Sequence, residues 1–283
     1  ADAATSGGGA AVVSVGNSAL FNLASSEYLS LTPTASDDDI NTMSCWVYRG
    51  RYTGALQYIW AAGSSGMSLL GFTANDQILV DKPGANVLTS TQVFRDIGWY
   101  HIVMGLDVTN AIATNRVTVE VNGAEITSWA TDNRGSLSAG QMLWGDNIIH
   151  GIGATGPGAT FFDGYIAEFA WVDGTKYSAS DFGEYDTTGL YWTPKSSTAI
   201  KALTFGDEGF YLDNTTNAQT DASGNGNNFT NNNTVTTSTN TPTNVGCLLN
   251  GLDSLNVLSS GNTIIDAGST SSWRLTRATL PFP

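Results

Sequence analysis

From Leu20 to about Trp192 the chain is a succession of short apolar runs separated by turn formers, with almost no helical spacing. The runs MSCWVY (43–48), LQYIWA (56–61), SLLGF (68–72), QILV (77–80), WYHIVMGLDV (99–108), RVTVEV (116–121) and GYIAEFAWV (164–172) have the length and the β-branched or aromatic content of strands. Between runs stand DDD, GSSG, DKPG, NG, DN and GATGPGA, whose residues accept positive φ or cap a turn locally. Along 99–108, Tyr100, Ile102, Met104, Leu106 and Val108 share one apolar face, while Trp99, His101, Val103, Gly105 and Asp107 form a mixed one. Val117, Val119 and Val121 alternate with Thr118, Glu120 and Asn122, the pattern of a strand buried on one side. Asn122-Gly123 then predicts a two-residue hairpin turn. Residues 178–185 offer one turn of helix at most, capped by Ser and Asp and weakened by Gly183. These signals predict an all-β sandwich of two antiparallel sheets.

The pattern also divides the chain. Residues 1–16 read as a flexible Gly/Ala arm and 17–192 as the sandwich. Residues 193–245 are rich in Asn and Thr, with few apolar side chains such as Phe229 and Val235, and read as a polar linker or hairpin. Scattered hydrophobics return over 246–283, which reads as an extension: a lead-in to a further β domain, or strands that join another chain. Charge narrows the partners. Twenty-five acids against 11 bases give a formal net charge of −14, and no basic cluster exists to neutralise phosphates, so nucleic acid and anionic membrane surfaces are not expected partners. No apolar run reaches the roughly 20 residues of a membrane helix, so membrane insertion is not expected either. The two cysteines, Cys45 and Cys247, give no disulfide framework and no metal-ligand spacing.

Three segments carry a family likeness. GWYHIV (98–103) resembles the W-x-H-hydrophobic strand of laminin-G-like domains, VEVNGAEI (119–126) their V-N-G hairpin, and FDGYIAEF (162–169) their closing F-D-G-x-I-x-E strand. FNLASSEYLSL and MSCWVYRG also look like the first two strands of that family. The resemblance implies a concanavalin A-like jelly-roll sandwich, here with extended N- and C-terminal arms. A narrower likeness lies in DGYIAEFAWVDGTKYSASDFGEYD, Trp192-Thr193-Pro194-Lys195, GFYLD, DASGNGNNF and NTPTN. These are similar to modules of tailed-phage fibre and virion appendage proteins, especially marine ones. That likeness implies a non-enzymatic protein at the virion surface or outside the cell. Its partners would be other virion proteins and copies of itself, in a homo-oligomer, and its ligand a cell-surface polysaccharide. A purely structural decoration module is the alternative. A glycoside hydrolase of the same fold is a weaker one, because the E-x-D-x-x-E string that sets two carboxylates on one strand face is not present.

Glycan binding needs exposed rings for sugar C–H faces, and amides or carboxylates for hydroxyls. Tyr52, Trp129 and Trp144, beside turn-rich polar segments, are the expected stackers, with Asp146, Asn147 and His150 as polar partners. Trp46, Trp99 and Trp171 lie in strand patterns and read as core, and His101 reads as structural. DASGNG begins like a calcium loop, with Asp221, Ser223 and Asn225 as ligands. Asn232 replaces the twelfth-position acid, so the stretch reads either as a calcium site or as a Gly/Asn turn. The run Asp37-Asp38-Asp39 reads as a solvated turn before Ile40, with a cation site as the alternative because three adjacent carboxylates repel unless neutralised.

Overall fold

The alternating runs become strands in the computed structural model, which describes residues 13–34, 39–52, 54–245, 248–249 and 257–266. The expectations for residues 1–12, Asp37, Asp38, Cys247 and 267–283 fall outside the described residues. The first half of the chain gives β1 (Ser18–Phe21), β2 (Tyr28–Leu31), β3 (Ile40–Arg49), β4 (Gln57–Ala62), β5 (Ser68–Phe72), β6 (Gln77–Lys82), β7 (Ala85–Val93) and β8 (Trp99–Asp107). Next come β9 (Val117–Val121), β10 (Ala124–Glu125), β11 (Trp129–Asp132), β12 (His150–Ile152) and β13 (Gly164–Asp173). The remainder gives α1 (Ala179–Phe182), β14 (Gly183–Tyr185), β15 (Trp192–Pro194), α2 (Ser197–Lys201), β16 (Phe210–Leu212), β17 (Thr230–Asn232), β18 (Thr236–Ser238), β19 (Val257–Ser259) and β20 (Ile264–Asp266).

Two eight-stranded antiparallel sheets stack on each other. One runs β10-β9-β8-β3-β13-β1-β18, with β16 also paired to β13; the other runs β11-β7-β6-β5-β4-β12-β2-β17. The apolar face read from 99–108 turns inward, as expected: Ile102, Met104 and Leu106 join Val117 and Val119 in one core cluster with Ile59, Leu70, Val80 and Leu88 of the facing sheet. Each such side chain contributes roughly 1.5–3 kcal/mol on full burial. Asn122 at φ 49° and Gly123 at φ 79° form the turn that the Asn-Gly pair predicts. The one helical turn expected near 178–185 is α1, whose N-cap Ser178 donates its backbone N–H to the Asp181 carboxylate and which ends where Gly183 opens β14.

The boundary at residue 192 is corrected by the structure. Residues 193–245 are no linker: β16 pairs with β13, β17 with β2 and β18 with β1, so this segment extends both sheets. Phe210, Leu212, Ala218, Phe229 and Val235 enter the same core as the earlier strands. So few apolar side chains suffice because the core they join is already built. The Asn-rich stretches between them form turns, with Asn217 accepting from Gln219 and Thr220 N–H and Asn231 from Val235 N–H.

A partial third layer covers the outer face of the first sheet. Val103, Ala170 and Val172 are packed under Phe182, Ile200 and Phe205, contributed by the segment around α1 and α2. Tyr48 and Tyr165 pack against Leu248, and the Tyr165 hydroxyl donates to the Gly261 carbonyl (3.0 Å) in the β19–β20 turn. Within β13 the pairing with β3 slips between Ala167 and Ala170, and Glu168 occupies the bulge at φ 51°.

Candidate aromatic binding site

The mixed face of β8 and the matching face of β3 bring Trp46, Trp99 and His101 to the outer side of the first sheet, beneath the β14–β15 hairpin. His101 is the hub. Trp46 stacks on its ring (centroids 4.8 Å apart, planes 23°), and the Trp192 indole N–H donates to its Nδ1 at 2.9 Å. Because indole nitrogen only donates, Nδ1 must accept, so the proton sits on Nε2 and is donated to Ser44 Oγ (2.9 Å). Burial pushes the imidazole down to about 3, which keeps this hub neutral.

Two glycines let Trp192 lie flat. A Cβ at Gly123 or at Gly183 would stand 2.5 or 2.6 Å from atoms of the indole, so neither position has room for a side chain. The hairpin tip is ordered by Asp186, whose Oδ1 accepts from Leu190 N–H (3.0 Å) and Tyr191 N–H (3.1 Å), with Thr188 Oγ1 bonded to both oxygens. These bonds, the Tyr191 N–H first, hold its carboxyl below the usual range. The tip therefore presents side chains outward: Tyr185, Leu190 and Tyr191 are 55%, 74% and 68% exposed.

Between hairpin and sheet lies a recess of about 370 Å³ lined by Trp46, Trp99, Asn122, Tyr185, Leu190, Tyr191 and Trp192. Five of these seven carry aromatic rings and none carries a charge. Asn122 Oδ1 accepts the His101 N–H (2.8 Å), which leaves its amide NH₂ as a donor at the recess. Such a surface offers ring faces plus neutral hydrogen-bonding groups, the chemistry of an amphipathic ligand with a flat C–H face. A second recess, about 460 Å³ between Leu23, Arg51, Ala55, Leu56, Thr160 and Phe161, has one ring and one cation and lacks that convergence.

The residues expected from sequence lie elsewhere, and several are corrected. Trp144 and His150 are fully buried. Trp144 belongs to the core cluster, while His150 packs on Trp60 and uses both ring nitrogens on backbone, donating to Ile148 O and accepting from Gly145 N–H. Burial pushes His150 down to about 4. The Asn147 amide donates to the Pro33 and Thr34 carbonyls, and Asp146, half-buried, shapes the same turn through its backbone, away from the aromatic recess. Tyr52 is half-buried, donates to Asp96 O and has the Arg49 guanidinium over its ring at 4.8 Å. Trp129, half-buried on the edge strand β11, packs against the core and has the Arg134 guanidinium near its ring at 5.6 Å. In the stretch from Asp221 to Asn225 the turn reading fits. Asp221 accepts from the N–H groups of Tyr211, Ser223, Gly226 and Asn227 and from Ser223 Oγ, and the Asn225 amide donates to Gly206 O and Gly209 O. The Asp221 oxygens are thus filled by five donors of the chain itself, which argues against calcium ligation by Asp221, Ser223 and Asn225.

The recess residues escaped sequence reasoning because Trp46 and Trp99 look like core and the run from Tyr185 to Trp192 looks like a connection. The available signal was the mixed face of 99–108, where two aromatics sit among residues that a wet face would not carry.

Comparison with known proteins places the fold. A laminin-G family model of the concanavalin A-like lectin/glucanases superfamily matches residues 23–180, more than half of the chain. No curated protein matches the chain. Among solved structures, a protein of Bacteroides ovatus described as a candidate carbohydrate-binding protein is similar at 18% identity with a TM-score of 0.55, covering 80% of this chain. This chain spans 60% of that protein's length. A heptameric SAP-like pentraxin of Limulus polyphemus is similar at 11% identity and a TM-score of 0.49, covering 81% of this chain and 97% of that one. Domain 4 of an extracellular arabinanase of Geobacillus stearothermophilus, solved with arabinotriose, is similar at 16% identity and a TM-score of 0.37, covering 51% and 65%. With the family model matched across both sheets and two antiparallel sheets stacked as that fold requires, the chain belongs to the concanavalin A-like lectin/glucanase superfamily.

Proposed function

We propose that this chain is a non-enzymatic, lectin-like module that binds glycans in the aromatic recess, and that it serves host attachment in a virion appendage. The observation that carries the binding role is the convergence of Trp99, Tyr185, Tyr191 and Trp192 on one recess whose wall is locked by the His101 bond. Clustered exposed rings mark an interaction surface, and stacking on sugar C–H faces is the use that suits uncharged walls. The description of the Bacteroides ovatus protein as carbohydrate-binding agrees with this reading.

The carboxylates favour binding over hydrolysis. Glu168 is buried against the Tyr211 hydroxyl, Glu120 accepts the Ala179 N–H (2.9 Å), and no acid is among the described residues that line the recess. Retaining or inverting chemistry needs a facing pair. The virion role rests on the likeness of residues 163–244 to appendage modules of tailed phages. Two measurements test the reading. A glycan array probed with the wild-type chain and with Tyr191→Ala should give hits that the variant loses. The wild-type chain in excess should also block phage adsorption to cells bearing the same glycans. An array without hits removes the binding role, and hits without competition remove the attachment role.

A further inference from the structure

Resting on the reading that the aromatic recess seats a glycan, we infer that it selects an uncharged pyranose unit with an unbroken face of C–H bonds and rejects carboxylated sugars.

Charge is the first argument. None of the seven lining side chains is a lysine, arginine, histidine or acid, so a carboxylate entering the recess meets no cation among the described residues that line it. The two hairpins that frame it, Val117–Glu125 and Gly183–Pro194, contain Glu120, Glu125, Glu184 and Asp186 and no base. The chain as a whole carries −14. An anionic sugar would be desolvated without a partner and repelled by the rim, a double cost.

Shape and polarity supply the rest. Ring faces of Trp99, Trp192, Tyr185 and Tyr191 suit a pyranose that presents one face of axial C–H bonds, because an axial hydroxyl on that face would hold the sugar off the ring. The polar groups at hand are the Asn122 amide and two tyrosyl hydroxyls, which pair with neutral hydroxyls without needing ionisation. A recess of about 370 Å³ lies at the small end of ligand sites, so it takes one or two sugar units of a longer chain. An aromatic cage can also take a quaternary ammonium, so that cation is the rival occupant.

The test uses the full chain and three probes: methyl β-glucopyranoside, the methyl glycoside of glucuronic acid, and tetramethylammonium. Saturation-transfer NMR and tryptophan quenching read binding, at low and physiological salt. The glucoside is expected to bind in the millimolar range, with the glucuronide about tenfold weaker or worse at low salt. Tyr191→Ala should weaken the glucoside about tenfold, and Asn122→Asp, which keeps the acceptor for His101 N–H but removes the donor, should do the same. Tyr191 is largely exposed, so its variant carries the test if Asn122→Asp fails to fold. Equal binding of glucoside and glucuronide overturns the selectivity and leaves the glycan reading standing. Tetramethylammonium binding without any glycoside, or no glycoside bound at all, overturns both. Glycoside binding unchanged in both variants overturns the recess as the seat.

Discussion

Glu168 lies at the bulge of β13, 5% exposed, with the Tyr211 hydroxyl donating to its Oε2. Burial, and next the Asp213 carboxylate, push its acid up to about 8 despite Lys201 nearby, whereas an unfolded glutamate titrates near 4.5. Between these values the unfolded chain has lost a proton that the native chain keeps. Stability therefore falls as pH rises across the window and levels off above 8. The full gap from 4.5 to about 8 corresponds to about 5 kcal/mol. Below pH 6.5 other groups intrude. Burial holds His101 at about 3 and His150 at about 4 against an ordinary 6.5, so their contribution is complete only about one pH unit above 6.5 and is lost as pH falls toward those lower values, opposing Glu168. Asp81 and Asp163, both raised to about 6 by burial, also titrate below 6.5. Over the span from 6.5 to 8 ionisation of Glu168 should remove about 2 kcal/mol of unfolding free energy from the wild-type chain relative to a variant that cannot ionise there. Urea denaturation followed by tryptophan fluorescence of both chains, in small pH steps over that span, measures it. Glu168→Gln keeps an acceptor for Tyr211 but cannot ionise, so this loss should be absent from its profile. An equal slope in the two chains refutes the reasoning.

Three further outcomes follow from the geometry. Arg49, its side chain wholly buried, bonds Asp76 (2.8 Å) and Phe94 O (2.9 Å) and sits over the Tyr52 and Phe72 rings; Arg49→Ala should cost about 3–5 kcal/mol by urea midpoint, and Arg49→Met distinctly less. Gly123→Ala should cost about 1–3 kcal/mol, because φ is 79° and the new Cβ meets the indole, and it should shift Trp192 emission. Asp221→Ala should cost about 1–3 kcal/mol by leaving donors around Tyr211 and Gly226 unmatched, while millimolar calcium leaves the wild-type Tm unchanged against a chelator control. A calcium-dependent rise in Tm that the variant abolishes would instead make Asp221 a ligand.

The fold was legible wherever one strand carried a full period of alternation. Ten residues at 99–108 and the Val117 to Val121 set contain enough repeats to say which face is buried, and Asn122-Gly123 fixes the turn between strands. The segment after Trp192 was not legible, for a physical reason. Strands β16, β17 and β18 are three residues long, too short to show a period, and they add only Phe210, Leu212 and their neighbours to a core made by others. Trp144 and His150 misled for a related reason. Polar, turn-rich neighbours describe the backbone around a side chain, not where that side chain goes. His150 is buried with both nitrogens bonded to backbone atoms that only the folded loop supplies.

The aromatic recess shows where a two-layer reading of a sandwich breaks down. If a sheet has one face inside and one in water, tryptophans on strands must be core, and Trp46 and Trp99 read that way. Yet Trp99 and His101 share the mixed face of β8, opposite Tyr100, Ile102 and Met104. A mixed face rich in aromatics is one that something else half covers. Here the cover is the β14–β15 hairpin, and the bond that seats it joins residues 91 positions apart, Trp192 and His101. Local sequence cannot announce a pairing at that distance, but it does show the vacancy that the pairing fills. Where the cover ends, at the exposed tip from Tyr185 to Tyr191, the aromatic face opens to solvent. The recess is therefore the rim of an incomplete third layer, and the hairpin whose Gly183 lets the Trp192 indole lie flat also leaves that indole lining the recess.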